Sequence, residues 1–300
     1  MAQQTSWPDL PYAAWRDTCE TLHLWTQIVG KVRLALTPAV NHWWHVPLYV
    51  SARGLTTSSI PYERGLFEMT FDFLDHQLVV ATSEGTGKSL PLIPRSVAAF
   101  YRELMASLRQ LNISVAINPL PSEIPNAIPC DEDETHAAYD PEYARRFWQA
   151  LIRTEGILRQ HRTRFIGKSS PIHFFWGSFD MALTFFSGRP APERPGADNI
   201  TREAYSHEVI SCGFWPGSES FPHAAFYAYS APSPDGLADV PIQPTTATFD
   251  RDLGEFLLPY DAVRVAPDPD GDLRAFFAST YEAAATLAHW DRAALERAAD

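Results

Sequence analysis

The sequence has few cysteines and few lysines, and each scarcity excludes a class of protein. Its three cysteines, Cys19, Cys130 and Cys212, are odd in number and far apart, which argues against a disulfide framework and a cysteine zinc knot. Only 3 of the 24 basic residues are lysines, and no basic run occurs. Because a net charge of -12 would repel a phosphate backbone, we expect no nucleic-acid partner.

Long apolar runs are also missing. No segment approaches the roughly 20 uninterrupted apolar residues that span a bilayer, and the first fifteen residues lack a basic start followed by an apolar core. We therefore predict a cytoplasmic protein with no membrane partner. Apolar residues nevertheless make up 45% of the 300 positions, which is enough for one large domain or two of ordinary size.

Periodicity predicts the helices. Apolar residues recur at three- and four-residue steps from Tyr12 to Leu36, which indicates one long helix. His23, Gln27 and Lys31 lie at i, i+4 and i+8 on this helix, and we interpret this polar stripe as its solvated edge. Further helices are predicted at 95–111, 141–160 and 272–288, the second of them opened by a proline at its first position.

Alternating apolar residues predict strands, and turn residues separate them. The predicted strands lie at 46–50, 67–73, 78–82, 113–117, 173–180, 205–217, 223–229 and 255–258. The loop at 84–89 resembles the end of a phosphate-binding loop, but Thr82 stands where that motif needs its first glycine, and no helix follows directly. Nucleotide binding at this loop is therefore not expected.

These elements predict an α+β fold of antiparallel sheets flanked by helices. Residues 119–134 are rich in proline and acidic residues and form a linker between an N-terminal α+β half, 1–118, and a C-terminal α+β half, 135–300. Both halves share an order of long helix, Gly-Lys, histidine-aromatic strand, further strands and closing helix. Either a diverged internal duplication about a pseudo-twofold axis or a chance similarity explains this order.

Two histidine-aromatic stretches, 41–50 and 171–180, are the most distinctive segments of the chain. In each, a histidine precedes two large aromatic residues, and a Gly-Lys pair lies upstream. From their matching places, we expect His42 and His173 to lie on adjacent strands and to approach one another. On a regular strand His42 and His45 would point to opposite faces, so these two alone do not establish a metal motif.

Five segments, 22–31, 41–49, 53–57, 173–180 and 206–209, resemble the domain of unknown function 5996 family of bacterial proteins. The resemblance covers nearly the whole chain, and its motifs are long and rich in aromatic residues. The resemblance implies a bacterial protein that belongs to one family over nearly its whole length, and it implies no particular activity.

Candidate chemical groups concentrate in the same stretches. The candidate metal ligands are His42, His45, His173, His207 and Glu208, and all but His45 are also candidate catalytic residues. Imidazole with a carboxylate suits zinc or non-haem iron. The same groups without a metal suit general acid-base catalysis. As a third alternative, they are hydrogen-bonded core residues, with the glutamate paired to an arginine.

Other residues are candidates for holding a ligand. Four tryptophans would wall a pocket, and three basic residues would hold an anionic group, unless the two lysines among them serve only to satisfy carbonyls at helix ends. With Asp180, these ligand-binding candidates are Lys31, Trp43, Trp44, Arg53, Lys168, Trp176 and Trp215.

The predicted function is therefore a small-molecule enzyme with a histidine- and glutamate-centred aromatic pocket, such as a metal-dependent hydrolase or an oxygenase-type enzyme. The alternative is a non-catalytic small-ligand-binding protein with an aromatic cage. An interaction protein would instead need a large exposed apolar patch. The sequence predicts a small-molecule partner but neither the substrate nor an oligomeric state.

Overall fold

The computed structural model of the protein describes residues 7–298. Residues 1–6, which are part of the N-terminal segment in which the sequence shows no basic start and apolar core, lie outside it. The helices are α1 (Tyr12–Leu36), α2 (Val97–Gln110), α3 (Pro141–Arg162), α4 (Asn199–Ala204), α5 (Tyr260–Arg264), α6 (Pro269–Leu287) and α7 (Arg292–Leu295). The strands are β1 (Tyr49–Val50), β2 (Gly54–Thr56), β3 (Ile60–Tyr62), β4 (Gly65–Asp72), β5 (Gln77–Thr82), β6 (Gly87–Pro91), β7 (His173–Phe175), β8 (Asp180–Pro190), β9 (His207–Trp215), β10 (Ala225–Ala231), β11 (Thr248–Asp250) and β12 (Glu255–Pro259).

The strands form two sheets whose neighbours are all antiparallel, which confirms the predicted α+β class. The first sheet has the order β1-β2-β4-β5-β6, with β3 also paired to β4. The second has the order β11-β12-β10-β9-β8-β7. An antiparallel bridge between Leu48 and Phe174 brings the end of the first histidine-aromatic stretch against the start of the second.

Local sequence signals set the helix ends. Helix α1 has the bounds that its apolar periodicity predicts. The carboxylate of Asp140 accepts hydrogen bonds from the amides of Glu142 and Tyr143, and Pro141 occupies the first position of α3, as the sequence indicates. The side chain of Ser96 caps α2 in the same way by accepting from the amide of Ala99. These caps satisfy amides that would otherwise have no partner within the helix.

The polar stripe of α1 is not a solvated edge, so that interpretation is wrong. The side chain of Gln27 is fully buried, and Lys31 is only 7% exposed. Gln27 donates to the carbonyl of Ser122 at 2.9 Å and accepts from its amide at 2.7 Å, while Lys31 donates to the carbonyl of Leu120 at 2.7 Å. The proline-rich segment at 119–134, which is distant in the sequence, supplies these hydrogen bonds and covers the stripe.

One continuous hydrophobic core includes residues of both sheets and of α1, α2, α3 and α6. Trp25 of α1 stacks on Phe100 of α2 at 4.8 Å, and Phe147 of α3 stacks on Phe179 at 5.2 Å. Segment 119–134 contains no helix or strand and packs along α1. The division into halves at 1–118 and 135–300 stays a prediction, as does the duplication.

One predicted strand is wrong, and so is the expected position of His42 on a strand. Residues 113–117 form no strand, and the amide of Ile113 instead donates to the carbonyl of Leu108 at the end of α2. His42 lies in a 3-10 turn and not on a strand, since His42 and Trp43 have φ values of 58° and 61°. Residues 83–86 join β5 and β6 in a hairpin, so the segment at 84–89 runs from a turn into a strand and not into a helix. Among the described helices, none combines the length and hydropathy that a membrane crossing requires.

Candidate functional site

One face of the second sheet carries most of the candidate groups. A row of paired residues runs across this sheet through His173, Ala182, Gly213, Tyr227 and Leu257. Since side chains alternate along a strand, residues two positions away share their face. These include Asp180, Trp215, Tyr229 and Glu255. The opposite face packs on helices, as shown by Phe226 against Phe277 of α6. We call the first surface the site face.

A cavity of about 1030 Å³ lies over the site face. Its wall includes six carboxyl groups, and we call it the acidic pocket. Three of these carboxyls and four of its aromatic side chains lie on or next to the site face. These residues are Glu123, Asp180, Glu255, Tyr205, Trp215, Tyr227 and Tyr229. The remaining wall comes from α1, the segment around residue 125 and the loop at 217–220. A cavity of this size can enclose a small organic molecule.

Helix α1 positions the turn that leads to Asp180. The Nε2 atom of His23 forms a hydrogen bond with the carbonyl of Gly177 at 2.9 Å, and its ring stacks on Phe179 at 4.8 Å. Burial lowers the pKa of His23 to about 4, so its imidazole is neutral. Phe179 itself has a φ of 60°, an uncommon conformation for an aromatic residue. The turn is therefore held in place by the stripe that also binds the proline-rich segment.

Glu123 reaches the pocket from the proline-rich segment. Its backbone has a φ of 61°, and the preceding residue, Ser122, is fixed to Gln27 by two hydrogen bonds. The carboxylate lies so close to Gly177 that a Cβ there would overlap it. Backbone conformations of this kind occur where the surrounding structure enforces them, often at functional sites. The fold thus holds Glu123 beside the turn that carries Asp180.

The carboxyl groups of Glu123, Asp180 and Glu255 influence one another. Burial, followed by the charges of Asp180 and Asp250, raises the pKa of Glu255 to about 7. Burial also raises the pKa of Asp180, although Ser178 and Tyr227 donate hydrogen bonds to its carboxylate. The pKa of Glu123 is raised by desolvation and then by Asp180. Within residues 7–298, none of these three carboxyls forms an ion pair.

Tyrosines form the aromatic part of the wall. The hydroxyls of Tyr205 and Tyr229 are joined by a hydrogen bond of 2.9 Å, and the guanidinium of Arg194 lies 4.2 Å from the ring centre of Tyr205. Burial raises the pKa of Tyr205, Tyr227 and Tyr229, so their hydroxyls stay protonated. Trp215 stacks on Phe221 at 5.3 Å. The pocket therefore offers aromatic surface and neutral hydroxyl donors next to its carboxyls.

A second group of side chains lies over the same face, around Phe186. It consists of His42, Trp44, Lys168, Phe186 and His207, and we call it the His42 cluster. The ring of His42 lies 5.2 Å from that of Trp44 and 5.8 Å from that of His207. Trp44, Tyr205 and Tyr229 pack against one small apolar cluster, so the His42 cluster adjoins the acidic pocket.

His173 is connected to the His42 cluster through Trp44. The ring of Trp44 lies 5.2 Å from His42 and 5.9 Å from His173, so one tryptophan contacts both predicted histidines. His173 is 1% exposed, and burial lowers its pKa to about 3. Its Nε2 atom has no hydrogen-bond partner in the described part of the chain. Arg33 lies over Tyr49 at 5.6 Å, next to this histidine.

Other predicted ligand-binding residues have structural contacts elsewhere. Trp176 donates its Nε1 proton to the carbonyl of Val46 at 2.9 Å, and Trp43 packs on His45 at 5.3 Å. Arg53 pairs with two aspartates of the first sheet, at 2.5 and 2.6 Å. Lys31 is buried against the proline-rich segment. Of the predicted set, Asp180 and Trp215 line the acidic pocket, while Trp44 and Lys168 belong to the His42 cluster.

The structure does not gather three or more of the predicted metal ligands at one point among the described residues. Between residues 7 and 298, no group of three or more histidine, cysteine, aspartate or glutamate side chains could hold one. Glu208 accepts from Arg189 at 2.7 Å, and His45 accepts from the amide of Val40 at 3.2 Å. Both ring nitrogens of His42 have partners as well. Glu208, His45 and His42 thus have contacts within the protein at atoms that could otherwise bind zinc or iron, whereas Nε2 of His173 has none among the described residues.

Glu123, Glu255 and the three pocket tyrosines are the site residues that sequence reasoning missed. A signal for two of them was present, because Tyr227 and Tyr229 are two positions apart in a predicted strand and must share a face. Glu255 likewise begins a predicted strand. Nothing in the sequence indicates that the proline-rich segment reaches this face.

The comparisons agree with the sequence resemblance. The family model of DUF5996, a family of unknown function, matches residues 7–297. The chain therefore belongs to this family, which confirms the resemblance noted from its aromatic motifs. Comparison with curated proteins gave no match, and comparison with solved structures gave none either.

Proposed function

We propose that the protein binds a small organic cation, such as a protonated amine, in the acidic pocket. The observation that carries this proposal is that three carboxyl groups face one cavity of about 1030 Å³ without forming an ion pair among the described residues. A ligand with a positive charge would lower the free energy of their ionised forms. The predicted cytoplasmic location and small-molecule partner belong to this proposal.

The shape of the wall supports the same ligand class. Aromatic faces attract cations, and Tyr205, Tyr229 and Trp215 place such faces around the cavity. Neutral tyrosine hydroxyls can orient polar groups of a ligand by donating hydrogen bonds. An anionic ligand would meet the carboxyls, and among the described residues Arg194 is the only lysine or arginine of the wall. The pocket is therefore complementary to a cation with an apolar body.

A specific observation favours catalysis in addition to binding. Glu255 has a pKa of about 7, which is the range in which a carboxyl group can both donate and accept a proton at neutral pH. Tyr227 and Ser178 donate hydrogen bonds to the carboxylate of Asp180, whose charge contributes to that shift. In an enzyme of this kind, Glu255 would transfer the proton and Asp180 would hold the ligand.

Three probes of similar shape test the proposal. Benzylamine should bind and raise the melting temperature at pH 8, whereas benzyl alcohol and benzoate should bind at least about tenfold more weakly, because a charged hydrogen bond contributes about 1.5 to 3 kcal/mol. Asp180→Asn should weaken benzylamine binding by a similar factor. Asp235→Asn, at an exposed position outside the pocket wall, is the matched control and should bind as the parent does. Equal binding of the three probes would contradict the proposal.

A further inference from the structure

Lys168 lies at the surface in contact with His42. Its Nζ atom is 2.7 Å from Nε2 of His42, although the lysine itself is exposed to solvent. The ring of His42 is buried, and its Nε2 atom is the one that contacts the amine. The lysine is thus accessible to a reagent while its amine touches a nitrogen that can hold a proton.

The environment of His42 fixes its tautomer. Its Nδ1 atom lies 3.1 Å from the carbonyl of Glu203 and 3.3 Å from that of Ala204, so Nδ1 carries the proton and donates. Nε2 therefore presents a lone pair to Lys168. Burial, followed by the charge of Lys168, lowers the pKa of His42 and keeps the ring neutral. The lone pair of Nε2 is the position at which His42 can accept a proton from the lysine ammonium.

Two aromatic rings lie beside the amine of Lys168. Nζ lies 4.9 Å from the ring centre of Phe186 and 5.3 Å from that of Trp44. These faces favour the ammonium form, but they also displace water, and desolvation lowers the pKa of Lys168. No carboxylate pairs with Lys168 among residues 7–298. Two titratable groups lie near Lys168: His42, which contacts its amine, and His207, whose ring lies 5.8 Å from that of His42.

We propose that Lys168 is a reactive amine that condenses with a small aromatic aldehyde, with His42 as its proton acceptor. The ammonium first gives a proton to Nε2 of His42, and the neutral amine attacks the carbonyl carbon. A carbon–nitrogen bond forms, one amine hydrogen and the proton held by His42 pass to the carbonyl oxygen, and that oxygen leaves as water, so the product is a protonated imine. The half-buried ring of Trp44 provides a flat surface on which the aromatic part of the aldehyde stacks.

The chain contains its own controls, because it has only three lysines. Lys31 is buried and donates to the carbonyl of Leu120. Lys88 is exposed on β6, in a different sheet, and has no histidine beside it in the hydrogen bonds of the described residues. A difference in reactivity between Lys168 and Lys88 therefore reports the surroundings of the amine and not its access to solvent.

The test uses the full chain, benzaldehyde and sodium cyanoborohydride, which reduces an imine to a stable secondary amine. At pH 7, peptide mapping should show Lys168 labelled several times faster than Lys88, because desolvation lowers its pKa and so raises the fraction of neutral amine. Lys168→Arg should remove the fast adduct while keeping the positive charge, and Lys88→Arg should retain it. His42→Asn removes the imidazole but keeps a residue that tolerates the positive φ, and it should reduce labelling of Lys168 to the rate of Lys88.

Two results would overturn the proposal. One is equal labelling of Lys168 and Lys88 in the parent protein. The other is an unchanged labelling rate in a folded His42→Asn protein. Should that variant fail to fold, the parent alone still decides. The ratio of Lys168 labelling to Lys88 labelling must fall between pH 7 and pH 10, because the advantage of a lowered pKa at Lys168 disappears as the pH approaches the pKa of an ordinary amine. A ratio that stays constant contradicts a reactive Lys168.

Discussion

The backbone amides of Leu48 and Phe174 each donate a hydrogen bond to the carbonyl of the other residue, at 2.9 and 2.8 Å. This exchange joins the two histidine-aromatic stretches directly. It also brings Trp176 to α1, where the indole ring covers Gly30 and donates to Val46. The segments that look alike in the sequence therefore contact each other in the fold, and Trp44 touches a histidine from each.

The contact between Gly30 and Trp176 leads to the first prediction. A Cβ at Gly30 would overlap the indole, so Gly30→Ala should lower the free energy of unfolding by about 1 to 3 kcal/mol despite the better helix propensity of alanine. Gly156→Ala in α3 is the matched control. No atom lies near its Cβ position, and this change should stabilise the protein by about 0.5 to 1 kcal/mol. Urea unfolding measures both, and stabilisation by Gly30→Ala would contradict the packing described.

Trp176 and Trp44 should respond differently to truncation. Trp176 is 7% exposed and donates a hydrogen bond, so Trp176→Ala should cost about 3 to 5 kcal/mol of unfolding free energy. Trp44 is half-buried and its ring faces Lys168, so Trp44→Ala should cost less, about 1 to 2 kcal/mol. Denaturant titrations of the two variants test this order. Equal losses would show that Trp44 is as much a core residue as Trp176.

Gln27 should affect both stability and the acidic pocket. Gln27→Ala leaves the amide and carbonyl of Ser122 without their partner, which should cost about 1 to 3 kcal/mol. It should also weaken benzylamine binding, since Glu123 is attached to the released segment. Gln110→Ala, at an exposed position near the end of α2, is the control and should change neither quantity. Normal binding by Gln27→Ala would show that Glu123 does not depend on this anchor.

Glu255 should make stability depend on pH. Its pKa is about 7 in the folded protein, above the value of 4.5 for a free side chain, so the folded state binds more protons between these values. Stability from this group is therefore present at low pH and lost as pH rises through 7. Relative to Glu255→Gln, the parent should lose about 1 to 3 kcal/mol between pH 4.5 and pH 8. Parallel pH profiles of unfolding free energy would contradict a raised pKa.

The sequence predicted elements whose signal is local, and α1 is the clearest example. Its apolar spacing gave both ends, and Asp140 with Pro141 gave the start of α3. The stripe on α1 was misinterpreted for a physical reason. Periodicity shows which residues share a face, but the partners of Gln27 lie about 95 residues away, and no local pattern indicates what covers that face.

The candidate site was predicted in part for the same reason. Asp180 and Trp215 line the acidic pocket, and the strand order that brings them together depends on long-range pairing that one sequence does not reveal. His42 was expected on a strand, yet the turn that contains it is closed by a hydrogen bond from Trp44 to Asn41. A glycine in a sequence often marks a position with a positive φ, whereas a histidine gives no comparable signal. Its pairing with Lys168 could therefore not be foreseen.

The arrangement of the outer strands limits association of one chain with another. Exposed strand edges present free amides and carbonyls to which a second chain can add, and this is a common start of aggregation. In the second sheet, β7 is bonded to Leu48 and the opposite edge, β11, is only three residues long. In the first sheet, β1 has two residues, and β6 carries Lys88 and ends in Pro91. Short edges, a lysine and a proline leave little continuous backbone for intermolecular strand addition.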